Sequence, residues 1–330
     1  MSAVESLVVI RNVKKLFPVR RGLFDRSKGR FIHAVDGLDI EIRKGEVLSL
    51  VGESGCGKTT LARLILHLLN PTEGNITFEG KDLFSKNKGE MRKLRQQVQA
   101  VFQDPYASLD PKKTILQVVA EPLVVNRLNK NDLDLTKRVR ESLIAVGLSP
   151  PELYIGKFPY ELSGGQRQRV AIARAIVINP RLIVADEPVS MLDVSIRAEI
   201  LMLMLDLKRE LNLTYVFITH DLAVARYVSD RMAVMYLGKI VEIGPAEEVC
   251  ARPVHPYTKA LLSALPSADP RARHRGVQVK GEVPNAIQIP AGCRFRPRCP
   301  YAFGKCVEEP QLVKVGQDHY AACYLGEEIT

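Results

Sequence analysis

No stretch of this 330-residue chain approaches the ~18–20 consecutive apolar residues that cross a bilayer, although 46% of its residues are hydrophobic. It also lacks a basic leader followed by an apolar run. It opens Met1-Ser2-Ala3-Val4-Glu5, so no signal peptide is expected and the chain should stay in the cytoplasm. Neither an internal repeat nor a low-complexity tract stands out. The formal charge of +10 invites a nucleic-acid reading. However, the basic clusters at Arg20-Arg21, Arg26 to Arg30 and Arg271 to Arg275 come with no aromatic platform and no recognition motif. A solvated face near anionic headgroups or partner subunits accounts for them more simply, and no nucleic acid is expected as a partner. What remains has room for one large domain and a smaller one, with composition enough to bury a sizeable core.

Organisation follows from periodicity. Leu7 to Val13 and Val35 to Ile42 read as strands, separated by a long basic loop. Val47-Leu48-Ser49-Leu50-Val51 is a short apolar run fit for a buried parallel strand. Thr59 to Leu69 has helical spacing until Asn70-Pro71 stops it. Residues 91–178 read mostly as helices, among them Arg138 to Val146 and Gly164 to Ile178. Strands return at Leu182 to Ala185 and Tyr215 to Thr219, and Met232 to Ile243 reads as a hairpin turning at Leu237-Gly238. After Gly244 prolines crowd a segment holding five of the six cysteines. The expected fold is α/β: a RecA-like P-loop core with antiparallel β and helical subdomains, the latter at about 91–178. The boundaries expected are 1–250 for the large domain and 251–330 for a small, loop-rich, cysteine-containing C-terminal domain.

Two constellations carry chemistry. Gly52-Glu53-Ser54-Gly55-Cys56-Gly57-Lys58-Thr59 is a phosphate loop in the strand–loop–helix context it requires. Its glycines let successive N–H groups turn inward around phosphate oxygens, and the following helix adds the positive end of its dipole. Lys58 supplies a point charge to the β- and γ-phosphates, and the Thr59 hydroxyl is placed to ligate Mg²⁺. Cys56 occupies a variable position. Asp186 ends an apolar strand, where a carboxylate can hold a magnesium-bound water, and Glu187 can act on the attacking water as general base. Leu162-Ser163-Gly164-Gly165-Gln166 opens a helix some twenty residues earlier.

With these motifs at this spacing, the chain resembles the nucleotide-binding subunits of ABC transporters over essentially its whole length. The resemblance implies an ATPase with ATP and Mg²⁺ as cofactors. It assigns ATP binding to Phe17, Gly52, Ser54, Gly55, Gly57, Lys58, Thr59, Thr60 and Asp186, Phe17 as the adenine-stacking aromatic. Catalysis falls to Glu187, to His220 as the switch histidine, and to Gln103 of the Q-loop; Mg²⁺ ligation falls to Thr59, Gln103 and Asp186. Ser163, Gly164, Gly165, Gln166 and, in the D-loop, Asp193 contact the ATP held by a partner cassette, so a head-to-tail dimer is implied. Met191 stands where the D-loop usually carries a smaller residue.

The segment Arg252 to Leu262, with Lys15-Leu16-Phe17-Pro18-Val19 and the basic insertion after it, resembles the second of the two ATPase subunits of dipeptide and oligopeptide importers. That implies a paralogous ATPase as partner, with a homodimer as the alternative, two transmembrane permease subunits, and an extracytoplasmic substrate-binding protein. The chain would then sit peripherally on the cytoplasmic face of the membrane. Oligosaccharides and nickel chelates are alternative cargoes. A soluble ABC ATPase acting on nucleic acid or the ribosome is the rival from another class; it usually carries two cassettes or coiled-coil insertions, neither present here.

Cys293, Cys299, Cys306 and Cys323 are separated by five, six and sixteen residues. In a reducing cytosol four such thiols argue for a metal centre over disulfides. The spacing matches neither a zinc ribbon nor the common ferredoxins, so zinc, iron–sulfur and unligated thiols all stay open on spacing alone. The importer resemblance implies a [4Fe–4S] cluster. Its role would be structural, with a redox or metal sensor regulating the ATPase as a further reading. Cys250 reads as ordinary core.

Overall fold

The structure is a computed structural model that describes residues 5–19, 30–84, 88–265, 279, 281–282 and 284–326. The basic clusters at 20–29 and 271–275 lie outside the described residues. The chain divides into two compact units, one of residues 1–42, 46–82 and 219–330, the other of residues 43–45 and 83–218. Among the described residues no helix is long and apolar enough to cross a membrane.

In the second unit the strand Leu182–Asp186 lies between Val98–Val101 and Thr214–Thr219, parallel to both. Leu182, Ile183, Val184 and Ala185 are fully buried, which is why the sequence shows a continuous apolar run and no alternation. Helices fill the rest, as residues 91–178 predict. Ile115–Asn126 and Gly164–Ile176 each begin with a capping box, Thr114 with Gln117 and Ser163 with Gln166. The second of these helices stops two residues short of the expected Ile178. Asn179 takes a left-handed φ of 52° and its N–H closes on the Ile176 carbonyl at 2.8 Å, so Pro180 only follows a turn already made.

The first unit holds the phosphate loop. One sheet orders the strands Phe31–Arg43, Ser6–Pro18, Glu73–Phe78 and Lys81–Asp82. Ser6–Pro18 outruns the expected Leu7 to Val13, because past a bulge at Asn12 its pairing resumes at Lys14 opposite Glu73. The Leu16 N–H then reaches the Thr72 hydroxyl at 3.0 Å. Elsewhere in the unit five strands follow the order Val313–Gly316, His319–Ala321, Lys239–Pro245, Arg231–Tyr236, Val47–Val51. Every residue of Val47–Val51 is buried and the strand runs parallel to Arg231–Tyr236. The predicted hairpin turns at Leu237-Gly238, with φ of 42° and 77°, the pair of positive values that a tight two-residue turn needs. The helix after the phosphate loop, Lys58–Ile65, ends before the expected Leu69. His67 enters the left-handed region, and the Leu68 and Leu69 amides both turn back to the Arg63 carbonyl.

Residues beyond 250 share a core with this unit. Phe295 packs edge-on to Tyr236 at 5.3 Å between ring centres, and Tyr257 lies 4.7 Å from Tyr236 and 5.4 Å from Phe295. Each such pair contributes about 0.5–1.5 kcal/mol beyond the area it buries. Cys250 is half-buried against the same core. Glu242 is wholly buried, and its carboxylate accepts from the Val254 and His255 amides at 2.8 and 2.9 Å and pairs with His319 Nε2 at 2.8 Å. That carboxylate sets the turn from which the helix Pro256–Ser263 departs.

His255 caps that helix, its Nδ1 accepting from the Tyr257 N–H at 3.1 Å, a role open only to the neutral ring. Burial pushes the imidazole down to about 4, Lys259 assisting and Glu242 opposing. Between the ordinary value of 6.5 and about 4 the unfolded chain binds the extra proton, so stability falls as pH falls through that window. At ~1.4 kcal/mol per pH unit the loss amounts to about 3 kcal/mol. Denaturant unfolding between pH 7 and 4 should show this loss, and His255→Asn, which keeps an acceptor without titrating there, should flatten it.

Candidate functional site

In the first unit the loop after Val51 is shaped by close backbone contacts. Gly52 has φ 150°, and a Cβ there would lie 2.3 Å from the Met235 carbonyl oxygen. Gly57 has φ 111°, and its Cβ would meet the Ala34 carbonyl oxygen at 2.1 Å. Only glycine fits either position. Lys58 is buried, and its Nζ donates to the Gly52 carbonyl at 2.6 Å and the Glu53 carbonyl at 3.0 Å. Ser54, Gly55 and Thr59 are exposed, and Thr60 is half-buried. Cys56 is not on that open side: it is buried, with Sγ 3.6 Å from Lys58 Nζ and its carbonyl accepting from the Gly238 N–H at 2.9 Å. Burial pushes its thiol up against the opposing pull of Lys58.

His220 is exposed immediately after the strand Thr214–Thr219, and the following Asp221 caps the helix Leu222–Val228 by accepting from Ala223 and Val224. Phe17 is half-buried near the end of its strand, with the Lys15 ammonium 5.2 Å from its ring centre.

The second unit brings Gln103 and Glu187 together. Gln103 Nε2 donates to Glu187 Oε2 at 3.0 Å, across 84 residues of chain. Asp186 ends its strand, and Glu187 next to it takes a left-handed φ of 48°. A non-glycine residue held there costs of order ~1–2 kcal/mol. The conformation is enforced by the Glu187 N–H donating to the Ile218 carbonyl at 2.9 Å and by the Ser190 N–H and hydroxyl donating to the Glu187 carbonyl at 3.2 and 3.1 Å. No periodicity or composition signal marks this strain in the sequence.

Ser163, Gly164, Gly165 and Gln166 form the N-terminus of the helix Gly164–Ile176. The Ser163 hydroxyl accepts from the Gln166 N–H at 3.3 Å, and Gln166 Oε1 accepts from the Ser163 N–H at 3.0 Å. A Cβ at Gly165 would lie 2.7 Å from Ile196 Cγ2, so this glycine lets the helix Val194–Leu211 approach. Asp193 caps that second helix without a side-chain bond, and Met191 beside it is 58% exposed, which gives the larger side chain room.

The same unit carries a groove of about 760 Å³ whose walls include Arg92, Arg95, Phe102, Val125 and Arg174. Phe102 and Val125 are exposed apolar residues, Phe102 directly before Gln103.

Back in the first unit, Cys293, Cys299, Cys306 and Cys323 all line one small pocket, together with Phe295, Tyr301, Phe303 and Tyr324. None is in a disulfide. Burial pushes the Cys323 thiol up to about 11, and the charges of the other three would push the same way. Among the described residues no group of three or more His, Cys, Asp or Glu stands arranged to hold a metal ion.

Residues 35–190 match the family model described as ABC transporter, and residues 241–306 match the one described as oligopeptide/dipeptide transporter, C-terminal region. The chain is 46% identical over 325 residues to the oligopeptide transport ATP-binding protein AppF of Bacillus subtilis (strain 168), covering 97% of this chain and 98% of that protein. The chain belongs to the ABC transporter ATP-binding proteins. This ABC ATP-binding protein is also 45% identical over 314 residues to the dipeptide transport ATP-binding protein DppF of Haemophilus influenzae, 94% of each chain being covered. Among solved structures it resembles the ATP-binding cassette MJ0796, a dimer in a post-hydrolysis state with ADP and phosphate. The TM-score is 0.62 at 32% identity, over 72% of this chain and 98% of that one. As a member of this family the chain hydrolyses ATP to energise transport.

Proposed function

We propose that this ATPase drives the import of di- or oligopeptides, with residues 1–250 as its nucleotide-binding domain, residues 91–178 as the helical part of that domain, and residues 251–330 as the importer-type C-terminal domain. The match of residues 241–306 to the peptide-transporter model supports the cargo class. An ATPase does not touch its cargo, so the site residues themselves are neutral between peptides, oligosaccharides and nickel chelates.

In this reading the backbone amides of the phosphate loop other than those of Glu53 and Cys56, together with the Lys58 ammonium, hold the triphosphate of ATP, with Ser54, Thr60 and Phe17 completing the pocket. The donors Thr59, Gln103 and Asp186 are a hydroxyl, an amide and a carboxylate, the oxygen set that Mg²⁺ takes. When bound, the ion neutralises phosphate charge. Glu187 accepts a proton from the attacking water, an effect worth about 10²–10⁴ in rate. The Gln103 hydrogen bond holds its carboxylate in line, and His220 contacts the γ-phosphate. The single observation that carries this assignment is Glu187 itself, a strained carboxylate oriented by Gln103.

Ser163 to Gln166 and Asp193 then serve the ATP of a partner cassette, so two cassettes close head to tail around two nucleotides. The partner is a paralogous ATPase subunit. Two permease subunits dock a cytoplasmic helix each, this chain's groove supplying apolar Phe102 and Val125 and cationic Arg92, Arg95 and Arg174 as the receiving surface. Movement of Gln103 beside Phe102 would couple the groove to hydrolysis. The assembly includes an extracytoplasmic binding protein, and the chain lies peripherally on the cytoplasmic face.

Cys293, Cys299, Cys306 and Cys323 are read as the ligands of a [4Fe–4S] cluster. Four thiols free of disulfides and facing one pocket are the donor set it requires. The cluster would supply four iron–thiolate bonds that tie down a proline-rich segment, a structural contribution.

Two measurements test these readings. Glu187→Gln in the assembled transporter should lower ATP turnover at least a hundredfold while ATP binding persists and the closed dimer accumulates; rapid turnover would remove Glu187 as the base. Anaerobically purified protein should carry close to four irons and four sulfides per chain and absorb near ~400 nm, lost on Cys→Ser changes at the four positions. Zinc, or no metal, would contradict the cluster and leave the ATPase reading standing.

A further inference from the structure

Glu53, the second residue of the phosphate loop, is held at every polar group. Its N–H donates to the Tyr257 hydroxyl at 2.8 Å. Its carbonyl accepts from Lys58 Nζ at 3.0 Å and the Cys56 N–H at 3.3 Å. Its carboxylate receives Arg298 through both guanidinium arms, Nη1 to Oε2 at 2.9 Å and Nη2 to Oε1 at 3.2 Å. Two of these partners come from the C-terminal segment, 204 and 245 residues further along the chain.

Neither partner is a loosely held surface group. Tyr257 is 1% exposed and Arg298 is 9% exposed. The guanidinium also lies 5.8 Å from the Tyr236 ring centre and 5.9 Å from that of Phe295, within cation–π range. Its backbone is fixed by overlapping turns. The Arg298 N–H donates to the Phe295 carbonyl at 2.9 Å, the Arg296 N–H to the Cys293 carbonyl at 3.0 Å, and the Cys293 N–H to the Cys306 carbonyl at 3.0 Å. The loop that presents Cys293 and Cys299 to the thiol pocket is therefore the loop that delivers Arg298 to Glu53.

A carboxylate on the phosphate loop is electrostatically adverse to a triphosphate unless it is neutralised and held away. A bidentate, partly buried guanidinium does both. We propose that Tyr257 and Arg298 are positioning residues of the phosphate loop, through which the cysteine-bearing C-terminal segment sets the affinity of this chain for ATP. The proposal rests on the reading of Gly52 to Thr59 as the ATP site.

The test is ATP affinity of the full chain, followed by equilibrium fluorescence with a labelled ATP and competition by ATP itself. Arg298→Ala should weaken ATP binding by about tenfold, the loss expected for a charged hydrogen-bonded pair. Glu53→Gln alone should change it by less than about threefold, because it removes the charge that needed neutralising. Adding Glu53→Gln to Arg298→Ala should restore most of the lost affinity, a rescue that a purely structural role for Arg298 does not produce. Tyr257→Phe keeps the ring and loses only the acceptor, and Arg298→Lys keeps the charge and loses the fork; both should weaken binding by several-fold, and they carry the test where Arg298→Ala does not fold. ATP affinities within twofold of the parent in Arg298→Lys and Tyr257→Phe, with Lys58→Ala abolishing binding, would overturn the proposal and leave the ATP site intact. An Arg298→Ala defect that Glu53→Gln leaves in place would overturn it too. Undiminished binding in Lys58→Ala would overturn the ATP-site reading and the proposal with it.

Discussion

A phosphate loop binds anions only while its backbone amides point inward, and that shape does not hold itself up. The run Gly52 to Thr59 has glycines at the tight positions, and glycine supplies freedom, not rigidity. Its rigidity here comes from contacts outside the loop. The Met235 and Ala34 carbonyls close on Gly52 and Gly57, the Gly238 N–H fixes the Cys56 carbonyl, and Tyr257 and Arg298 fix Glu53. The hairpin turn at Leu237-Gly238 and the aromatic cluster of Tyr236, Tyr257 and Phe295 thus matter to the shape of this loop because they set where those contacts lie.

The chemistry proposed for Glu187 depends on strain. Glu187 sits in a backbone region that costs energy for any side chain with a Cβ, and hydrogen bonds from Ser190 and to Ile218 hold it there. In the proposed role of base, a carboxylate fixed this way, with Gln103 on one oxygen, would lose little orientational freedom. The capping box at Ser163 performs a comparable service at the head of the helix Gly164–Ile176: it satisfies two end groups locally and fixes the turn.

Much of this is legible in the sequence where the signal is local. The all-buried strand Val47–Val51, the phosphate loop, the apolar run into Asp186-Glu187 and the hairpin at Leu237-Gly238 each carry their own pattern. Helix ends are less legible, since His67 and Asn179 stop their helices by entering the left-handed region, a choice that apolar spacing does not encode. The Glu53 brace and the Glu242 anchor are invisible for another reason. Arg298 lies 245 residues from Glu53 and His319 lies 77 from Glu242, and Arg298 reads by itself as one more charge in a basic segment. The prolines and cysteines after Gly244 announce an unusual segment but not that it packs on Tyr236 and reaches Glu53.

If the C-terminal segment supports the phosphate loop, the support is reciprocal, because any coupling between two sites acts in both directions. Hydrogen–deuterium exchange of the assembled transporter, with and without ATP under conditions that block hydrolysis, tests this most directly. The account predicts that ATP slows exchange both at the amides of residues 52–59 and at those of residues 254–258 and 295–299. Slowing confined to residues 52–59, with the C-terminal segment unchanged, would contradict it.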